Sequence, residues 1–323
     1  MRYYTCANTS GGVVDFTEEN IFDIETKIEL KGKNNNVRDY ILSQICTTGA
    51  ESIIEVGYYD LKSGIIMRDK GIAIVKSCKN PTKTINFDNY SDKDVQNPQA
   101  EHLYQSMLRA YSDAKIIHDE WERIYINNMD FDRLNKFGND VIQNLLKDRK
   151  GSGNGKTYKR FFGTSTTMGP VNYIDDLTLS LNKRYFIKGR PGTGKSTFLK
   201  KLAMELKNRN YDAEEYYCSF DKNSLDMVVS RELSFCVFDS TAPHEKFPSK
   251  DTDEILDFYI NSGLDGIDEK YKSELNEIKN SYDMKIREGL GYYKSFFELK
   301  EESRVNYIEE LIIEIIAEME TFK

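Results

Sequence analysis

The sequence lacks the features that mark nucleic-acid-binding, membrane-spanning and secreted proteins. Its 323 residues carry a formal net charge of −8, which argues against nucleic acid as a main partner because phosphate contacts need a basic surface. No run of about 18 uncharged apolar residues, the length that a membrane span requires, is present. The first residues also lack the basic and apolar regions of a signal peptide. We therefore expect a cytoplasmic protein that does not enter a membrane.

Cysteine and histidine are scarce, and their spacing supports no metal or disulfide framework. The five cysteines are odd in number and form no C-x-x-C pair. The histidines, His102, His118 and His244, are too scattered to predict a metal site. Apolar residues make up 39% and charged residues 30% of the chain, which is typical of a soluble folded protein. The length exceeds the roughly 100–200 residues of one domain, so we expect two packed units.

A glycine-rich loop follows a short β-type segment in the second half of the chain. Residues 183–188, KRYFIK, run into GRPGTGKS at residues 189–196, which has the spacing G-x-x-x-x-G-K-[ST]. Residues 197–206 then place apolar side chains on one face of a helix. We call residues 189–196 the glycine-rich loop. Between a strand and a helix, such a loop is predicted to bind the phosphates of a nucleoside triphosphate.

Each residue type in the loop has a role in phosphate binding. Gly189, Gly192 and Gly194 permit backbone conformations that a Cβ would block, so that successive amides can point at phosphate oxygens. Lys195 supplies a cation for the β- and γ-phosphates, and the Ser196 hydroxyl can ligate Mg²⁺. For the side chain of Arg190, phosphate contact and solvation both stay open. The predicted cofactor-binding residues are Gly189, Arg190, Gly192, Thr193, Gly194, Lys195, Ser196 and Thr197.

Two aspartates follow other predicted strands. Asp239 ends the segment 233–239 and is the expected carboxylate on the Mg²⁺ side, the alternative being a turn or capping aspartate. Asp221 follows the segment 214–220 and would point toward the γ-phosphate, since ligands bind at the carboxyl ends of such strands; an Asx turn is the alternative. The predicted catalytic residues are Lys195, Asp239 and Asp221, and the predicted metal ligands are Ser196 and Asp239.

The first half contains a second copy of this region. Gly32 aligns with Gly189, a displacement of 157 residues (189 − 32 = 157), and the match extends over strand, loop and helix. Lys76 stands where the second copy has Asp239. The residues that answer Gly192, Gly194, Lys195 and Ser196 are Asn35, Val37, Arg38 and Asp39. Because both the loop and the acidic position are lost, we expect the first copy to keep the fold for packing or regulation without binding a triphosphate.

These patterns predict an α/β protein with two tandem three-layer α/β/α repeats, each followed by a helical addition. The degenerate repeat and its addition span residues 1–147, and a polar, glycine-rich linker spans residues 148–159. The repeat with the intact loop spans residues 160–323, with its helical addition beginning near residue 253. The helical stripes fit helix-on-helix packing. A lid, or a surface for a homodimer or protein partner, is the alternative.

Several motifs together resemble a known family. They are GRPGTGKST at 189–197, TMGPVNY at 167–173, CS at 218–219 with SLD at 224–226, VFDSTAPH at 237–244, and HDEWERIYI with NMDF at 118–126 and 128–131. With these motifs the chain resembles the duplicated P-loop ATPase-like proteins of Firmicutes bacteria over nearly its whole length. The resemblance implies a P-loop NTPase fold and an ATPase or nucleotide kinase. Members generally keep a full phosphate loop in their first repeat, and this chain does not.

Three functions fit these residues. The first is a slow ATPase or ATP-driven switch, because Asp239 is followed by Ser240 and not by a glutamate that orients water. The second is a small-molecule or nucleotide kinase, in which Asp221 or His244 would position the acceptor under a helical lid. The third is a nucleotide-gated interaction protein. We expect ATP with Mg²⁺ at one site per chain, and GTP is disfavoured because no suitable N-K-x-D element is evident.

Overall fold

The computed structural model describes residues 1–45, 49–58, 60–87 and 98–299. Its N-terminal half contains a six-stranded mixed sheet with the strand order β1-β5-β6-β7-β4-β8. In chain order, the elements of this half are β1 (Arg2–Tyr3), β2 (Cys6–Thr9), β3 (Gly12–Asp15), α1 (Thr17–Ile21), β4 (Thr26–Lys31), α2 (Asn35–Ile45), β5 (Glu51–Ile54), β6 (Lys62–Met67), a 3-10 turn (Arg68–Lys70), β7 (Ile72–Val75), β8 (Lys83–Asn86), α3 (Pro98–Ile126) and α4 (Phe131–Leu146).

The C-terminal half contains a second six-stranded mixed sheet, with the order β9-β13-β14-β15-β12-β16. Its elements are β9 (Thr157–Arg160), β10 (Gly163–Thr166), β11 (Gly169–Asn172), α5 (Ile174–Thr178), β12 (Lys183–Lys188), α6 (Lys195–Asn208), β13 (Ala213–Tyr217), β14 (Leu225–Ser230), β15 (Phe235–Asp239), β16 (Glu254–Asp257), α7 (Phe258–Asn261), α8 (Ile267–Lys270) and α9 (Lys272–Leu299). The predicted α/β class is confirmed.

The two sheets agree strand by strand in order and in direction. In each, the strand before the long helix (β4 or β12) lies between two parallel neighbours, β7 and β8 or β15 and β16. In each, two antiparallel pairings follow on the side of β7 or β15, and a parallel edge strand, β1 or β9, ends that same side. The carboxyl ends of the three parallel strands therefore meet at one edge of each sheet, where ligands bind in open α/β folds.

The second helical addition begins later than the sequence pattern predicts. Residues near 253 were expected to start it, but Glu254–Asp257 form the edge strand β16, which pairs with β12. This partner is distant in sequence, so helical periodicity cannot reveal it. Residues 300–323 of the addition lie outside the described residues. Within the described ranges, no helix has an apolar stretch that could cross a membrane.

The two halves share one hydrophobic core. A single cluster of buried side chains includes Tyr4 and Ile53 from the first half and Phe161 and Phe186 from the second. The main chains of Tyr4 and Phe161 exchange two hydrogen bonds, of 2.9 and 2.8 Å. The predicted linker, residues 148–159, includes the start of β9, which forms an edge of the second sheet. The helices α3 and α9 then pack along each other.

Candidate functional site

The glycine-rich loop connects the buried strand β12 to the helix α6. The strand ends at Lys188 and the helix begins at Lys195, so the predicted strand and helix are confirmed. Gly192 and Gly194 have φ angles of 76° and 75°, in the left-handed region that a side chain with a Cβ disfavours. The chain therefore turns sharply between the strand and the helix, and the free N–H groups of the first helical turn are at the loop.

The side chain of Lys195 folds back over the loop. Its Nζ donates a hydrogen bond of 2.8 Å to the carbonyl of Arg190 and lies 3.6 Å from Asp239 Oδ2. The same carbonyl accepts a 2.7 Å bond from Thr193 Oγ1. A Cβ at Gly189 would lie 2.6 Å from that Thr193 oxygen, so glycine is required for this closed loop. The ammonium group is thus held beside a carboxylate and a backbone carbonyl. A bound anion could take the place of the carbonyl as its hydrogen-bond acceptor.

The predicted metal ligands lie on two elements: Ser196 follows Lys195 on α6, and Asp239 is on β15. Asp239 is the last residue of β15, the direct neighbour of β12, and its Oδ1 accepts bonds of 3.2 and 2.7 Å from the amide and hydroxyl of Thr241. Asp239 therefore also makes the contacts of a turn or capping aspartate, which was the alternative to a metal ligand. Ser196 Oγ accepts a 2.8 Å bond from the amide of Leu225, and its second lone pair is available to a cation.

Asp226 is a site residue that the sequence analysis missed. It lies on β14, next to Met227, which pairs with Phe238 on β15. The same antiparallel register places Asp226 opposite Asp239 on the neighbouring strand. Its side chain is buried and accepts a 3.2 Å hydrogen bond from Ser224 Oγ. Burial, followed by the nearby charge of Asp239, raises the pKa of Asp226. An acidic residue in an otherwise apolar, buried strand was the signal for it.

Asp221 is engaged outside the loop. Its Oδ1 accepts a 2.9 Å bond from the amide of Asn223, which is the Asx turn that the sequence analysis left open. Its Oδ2 lies 3.3 Å from Lys115 Nζ on α3. Asp221 therefore joins the second sheet to the long helix of the first half, and its predicted catalytic role stays a prediction.

Arg190 is held by side chains outside the loop. Its guanidinium donates two hydrogen bonds, of 2.8 and 2.6 Å, to Asp268 Oδ2 on α8. Asp268 also accepts a 2.9 Å bond from the Tyr125 hydroxyl, and the ring of Tyr259 lies under the guanidinium. The sequence analysis considered phosphate contact and solvation for Arg190. Ion pairing with Asp268 is a third arrangement, which sequence spacing cannot predict because α8 is distant in the chain.

Helices of the N-terminal half cover the glycine-rich loop. On α3, the main chain of Glu122 lies so close that a Cβ at Gly192 would be 2.8 Å from the Glu122 carbonyl oxygen. On α4, Leu134 Cδ2 would lie 2.9 Å from a Cβ at Gly194. Both glycines therefore provide close approach as well as a turn. The helical addition of the N-terminal half therefore packs directly on the glycine-rich loop of the C-terminal half.

The helix α3 carries a polar cluster beside the loop. His118, Asp119 and Glu122 have potential ligand atoms that lie within 4.8 Å of one another. His118 Nδ1 is 3.8 Å from Glu122 Oε1, and burial raises the pKa of Glu122. The three residue types could hold a divalent cation. The sequence analysis considered only histidines with each other, and so it did not consider this helix as a metal site.

The corresponding connection in the N-terminal half is helical from its fourth residue. The helix α2 begins at Asn35, which answers Gly192, whereas α6 begins three positions later in the alignment. Asn34 Oδ1 caps α2 by accepting bonds of 3.0 and 3.2 Å from the amides of Asn36 and Val37. These amides are the ones that the loop would need for an anion. A capped helical turn therefore takes the place of the turn with two left-handed glycines.

Side chains fill the remaining space at this position. Arg38, which answers Lys195, is fully buried; its guanidinium bonds to Asn35 Oδ1 at 2.7 Å and to the carbonyl of Gly32, and it lies 3.3 Å from Glu55. The ring of Phe87 lies on Gly32, where any Cβ would overlap it. The guanidinium thus has anionic and carbonyl partners within its own half.

The acidic position is reversed in charge in the N-terminal half. Lys76, which answers Asp239, lies 2.8 Å from Glu55 Oε1. Asp39, which answers Ser196, keeps only the structural contact, since its Oδ1 accepts a 2.8 Å bond from the amide of Lys62 as Ser196 accepts one from β14. The acidic position therefore carries a cation in this half, and the hydroxyl position carries a carboxylate, whose negative charge would lie beside a bound phosphate.

Comparison of this chain with family models, with curated proteins and with solved structures found no match. The geometry of the two halves is therefore the basis for a function. The predicted residues that the fold brings together around the end of β12 are Gly189, Gly192, Thr193, Gly194, Lys195, Ser196, Thr197 and Asp239. Those with side chains held by other elements are Arg190 and Asp221.

Proposed function

We propose that the chain binds one nucleoside triphosphate, ATP with Mg²⁺, at the glycine-rich loop and acts as a slow ATPase or nucleotide-dependent switch. One observation carries the proposal: the loop turns through two left-handed glycines into the start of α6, with the Lys195 ammonium 3.6 Å from Asp239. Loop amides, a helix N-terminus and a lysine ammonium are the components of a polyphosphate site.

We further propose that the two halves are tandem repeats of a P-loop NTPase-like fold. Their sheets have the same order and directions, and β4 and β12 align residue for residue at the displacement of 157. The first repeat would then be degenerate. Its helical cap at Asn34, its buried Arg38 and its reversed charge at Lys76 support a single competent site per chain.

The chain's own residues account for phosphate binding as follows. Lys195 exchanges the Arg190 carbonyl for the β- and γ-phosphates, and the loop amides bind the remaining oxygens. Ser196, Asp239 and Asp226 offer a hydroxyl and two carboxylates, an all-oxygen set that fits Mg²⁺. When bound there, the ion supplies neutralisation of phosphate charge. Covering helices α3 and α4 limit the access of water to this position.

Slow turnover follows from the residue after Asp239. Ser240 is buried, and its hydroxyl both donates to the carbonyl and accepts from the amide of Lys246, at 2.7 and 3.0 Å. The proton and one lone pair of this hydroxyl are thus engaged in the turn, and the residue offers no carboxylate to orient an attacking water. We expect phosphate release well below the roughly 10 per second that is typical of enzymes. A measured rate of tens per second would contradict the slow ATPase.

One lysine variant in each half tests the proposal. Lys195→Ala removes the cation that binds phosphate, so its ATP affinity should fall at least about tenfold. Lys76→Ala removes a half-exposed cation in the other half and should leave ATP affinity within about twofold. Calorimetric titration with ATP and Mg²⁺ measures both. Equal affinities for the wild type and Lys195→Ala would overturn the proposal.

A further inference from the structure

A cavity of about 110 Å³ lies between the glycine-rich loop and the N-terminal half. The loop and α6 contribute Gly194 and Thr197 to its wall, and Phe258, which directly follows β16, closes another side. The first turn of α4 contributes Phe131 and Leu134. The cavity therefore has one wall from the predicted triphosphate site and one from the helical addition of the other half.

The order of the strands gives the cavity its place relative to the phosphates. The strand β12 lies between β15 and β16. Asp239, beside Lys195, ends β15, and this side holds the groups expected at the γ-phosphate and Mg²⁺. Phe258 lies beyond β16, on the opposite side. A triphosphate that extends along the loop would then direct its nucleoside toward Phe258 and the cavity.

The chemistry of the walls suits an aromatic base. Phe258 is fully buried and packs its ring against Phe198 and Phe137, with centroid separations of 5.1 and 5.5 Å. Phe131 is 51% exposed at the mouth, so one ring face is available for stacking. Exposed Asn135 lies at the rim with its amide group. Apolar walls with a few polar groups at the edge are typical of nucleoside sites, and stacking on aromatic rings stabilises bound bases.

The matching phenylalanine of the N-terminal half closes the same space. Phe87 directly follows β8 as Phe258 follows β16. The ring of Phe87 lies on Gly32, whereas the nearest atom of Phe258 to a Cβ at Gly189 would be its own Cβ, at 3.4 Å. Phe87 thus covers the loop position in the N-terminal half, whereas Phe258 lines a cavity in the C-terminal half.

We propose that the base of the bound nucleotide occupies this cavity, so that α4 of the N-terminal half completes the nucleotide site of the C-terminal half. This inference rests on the proposed function, because it needs the triphosphate on the glycine-rich loop. It assigns the N-terminal half a direct part in ligand binding through Phe131 and Leu134. Phosphate contacts and base contacts then come from different halves of the chain.

A comparison of ATP with inorganic tripolyphosphate, both with Mg²⁺, separates the two parts of the site. The wild type should bind ATP at least about tenfold more tightly, since only ATP can stack in the cavity. Asn135→Trp places a large ring at the exposed rim and should remove about tenfold of ATP affinity, with tripolyphosphate affinity within about twofold of the wild type. Lys136→Trp, at the next exposed position on α4, should change neither affinity.

Phe131→Ala gives a second, independent measure, because it removes a half-exposed ring without adding bulk. Its ATP affinity should fall several-fold while its tripolyphosphate affinity is retained. Wild-type ATP affinity in both Asn135→Trp and Phe131→Ala, or equal wild-type affinities for ATP and tripolyphosphate, would overturn the base site and leave the phosphate site standing. Binding of neither compound to the wild type would overturn the proposed function itself.

Discussion

The two halves build the same sheet and differ where the strand meets the long helix. In the C-terminal half, two left-handed glycines separate β12 from α6, and the Lys195 ammonium bonds to a backbone carbonyl of that turn. In the N-terminal half, Asn34 caps a helix that starts earlier, and the buried guanidinium of Arg38 occupies the space. The α/β scaffold therefore tolerates both connections, and the proposed anion site depends on a few side chains at this point.

The comparison also shows how a filled site remains stable. Glu55 bonds to both Arg38 and Lys76, at 3.3 and 2.8 Å, so the two introduced cations share one buried carboxylate. A buried cation without such a partner is costly. The connection without left-handed glycines in the first half thus contains an internal ion pair, and the helices that follow this half lie on the glycine-rich loop of the second.

The largest expected effect comes from removing the charge that joins the halves. Arg160 on β9 is 1% exposed and lies 2.9 Å from Glu51 in the first half and 3.2 Å from Glu214 in the second. Arg160→Leu leaves both carboxylates without this partner and should lower the free energy of unfolding by about 3–5 kcal/mol. Lys159→Leu, at the neighbouring position, should change it by about 0.5 kcal/mol or less. Denaturant unfolding measures both variants.

A loss below about 1 kcal/mol in Arg160→Leu would contradict the view that the network stabilises the interface between the halves. In that case the halves would be better compared as independent units. A wild-type transition that is single by both fluorescence and circular dichroism is expected with the shared core.

A smaller effect is expected where the two connections differ. Gly192→Ala forces a Cβ onto a left-handed residue and within 2.8 Å of the Glu122 carbonyl, which should cost about 1–3 kcal/mol of stability and reduce ATP affinity. Asn35→Ala, at the answering helical position, loses one hydrogen bond from Arg38 and should cost about 1 kcal/mol with ATP affinity unchanged. Thermal unfolding and titration measure the pair, and equal effects on ATP affinity would remove the distinction between the connections.

The smallest effect is a change in pH dependence. Burial alone would raise the pKa of Glu214, but Arg160 and Arg231 lower it to about 2. An unfolded glutamate has a pKa of about 4.3, so this carboxylate stabilises the fold above that pH and its contribution is lost as the pH falls toward 2. Glu214→Gln should therefore flatten the decline of unfolding free energy between about pH 4.5 and 2. Parallel curves for both proteins would contradict this assignment.

The local elements of the site could be predicted from the sequence, and its long-range contacts could not. Strand β12 has the predicted bounds, and α6 follows the loop as the apolar spacing indicates. Asp226 was missed because its partner Asp239 lies on another strand, and cross-strand register is not visible in spacing. The contact of Glu122 with Gly192 was missed for the same reason, since α3 is some 70 residues earlier in the chain.

The N-terminal half illustrates the same limit. From Asn35, Val37 and Arg38 the sequence predicts a connection that lacks a phosphate loop. The inward turn of Arg38 to Glu55 depends on a residue that follows β5, 17 positions later in the chain. Side-chain placement of this kind follows only from the packed fold. Strand β16 was assigned to a helical region because its partner β12 lies 69 residues earlier in the chain (254 − 185 = 69).

The central claim is that one half of the chain has an open anion site and the other has a filled one. Calorimetric titration of the wild-type chain with ATP and Mg²⁺ tests it most directly. We predict a stoichiometry of one nucleotide per chain. Two bound nucleotides would show that Arg38 and Phe87 do not close the N-terminal position, and no binding at all would contradict the site at the glycine-rich loop.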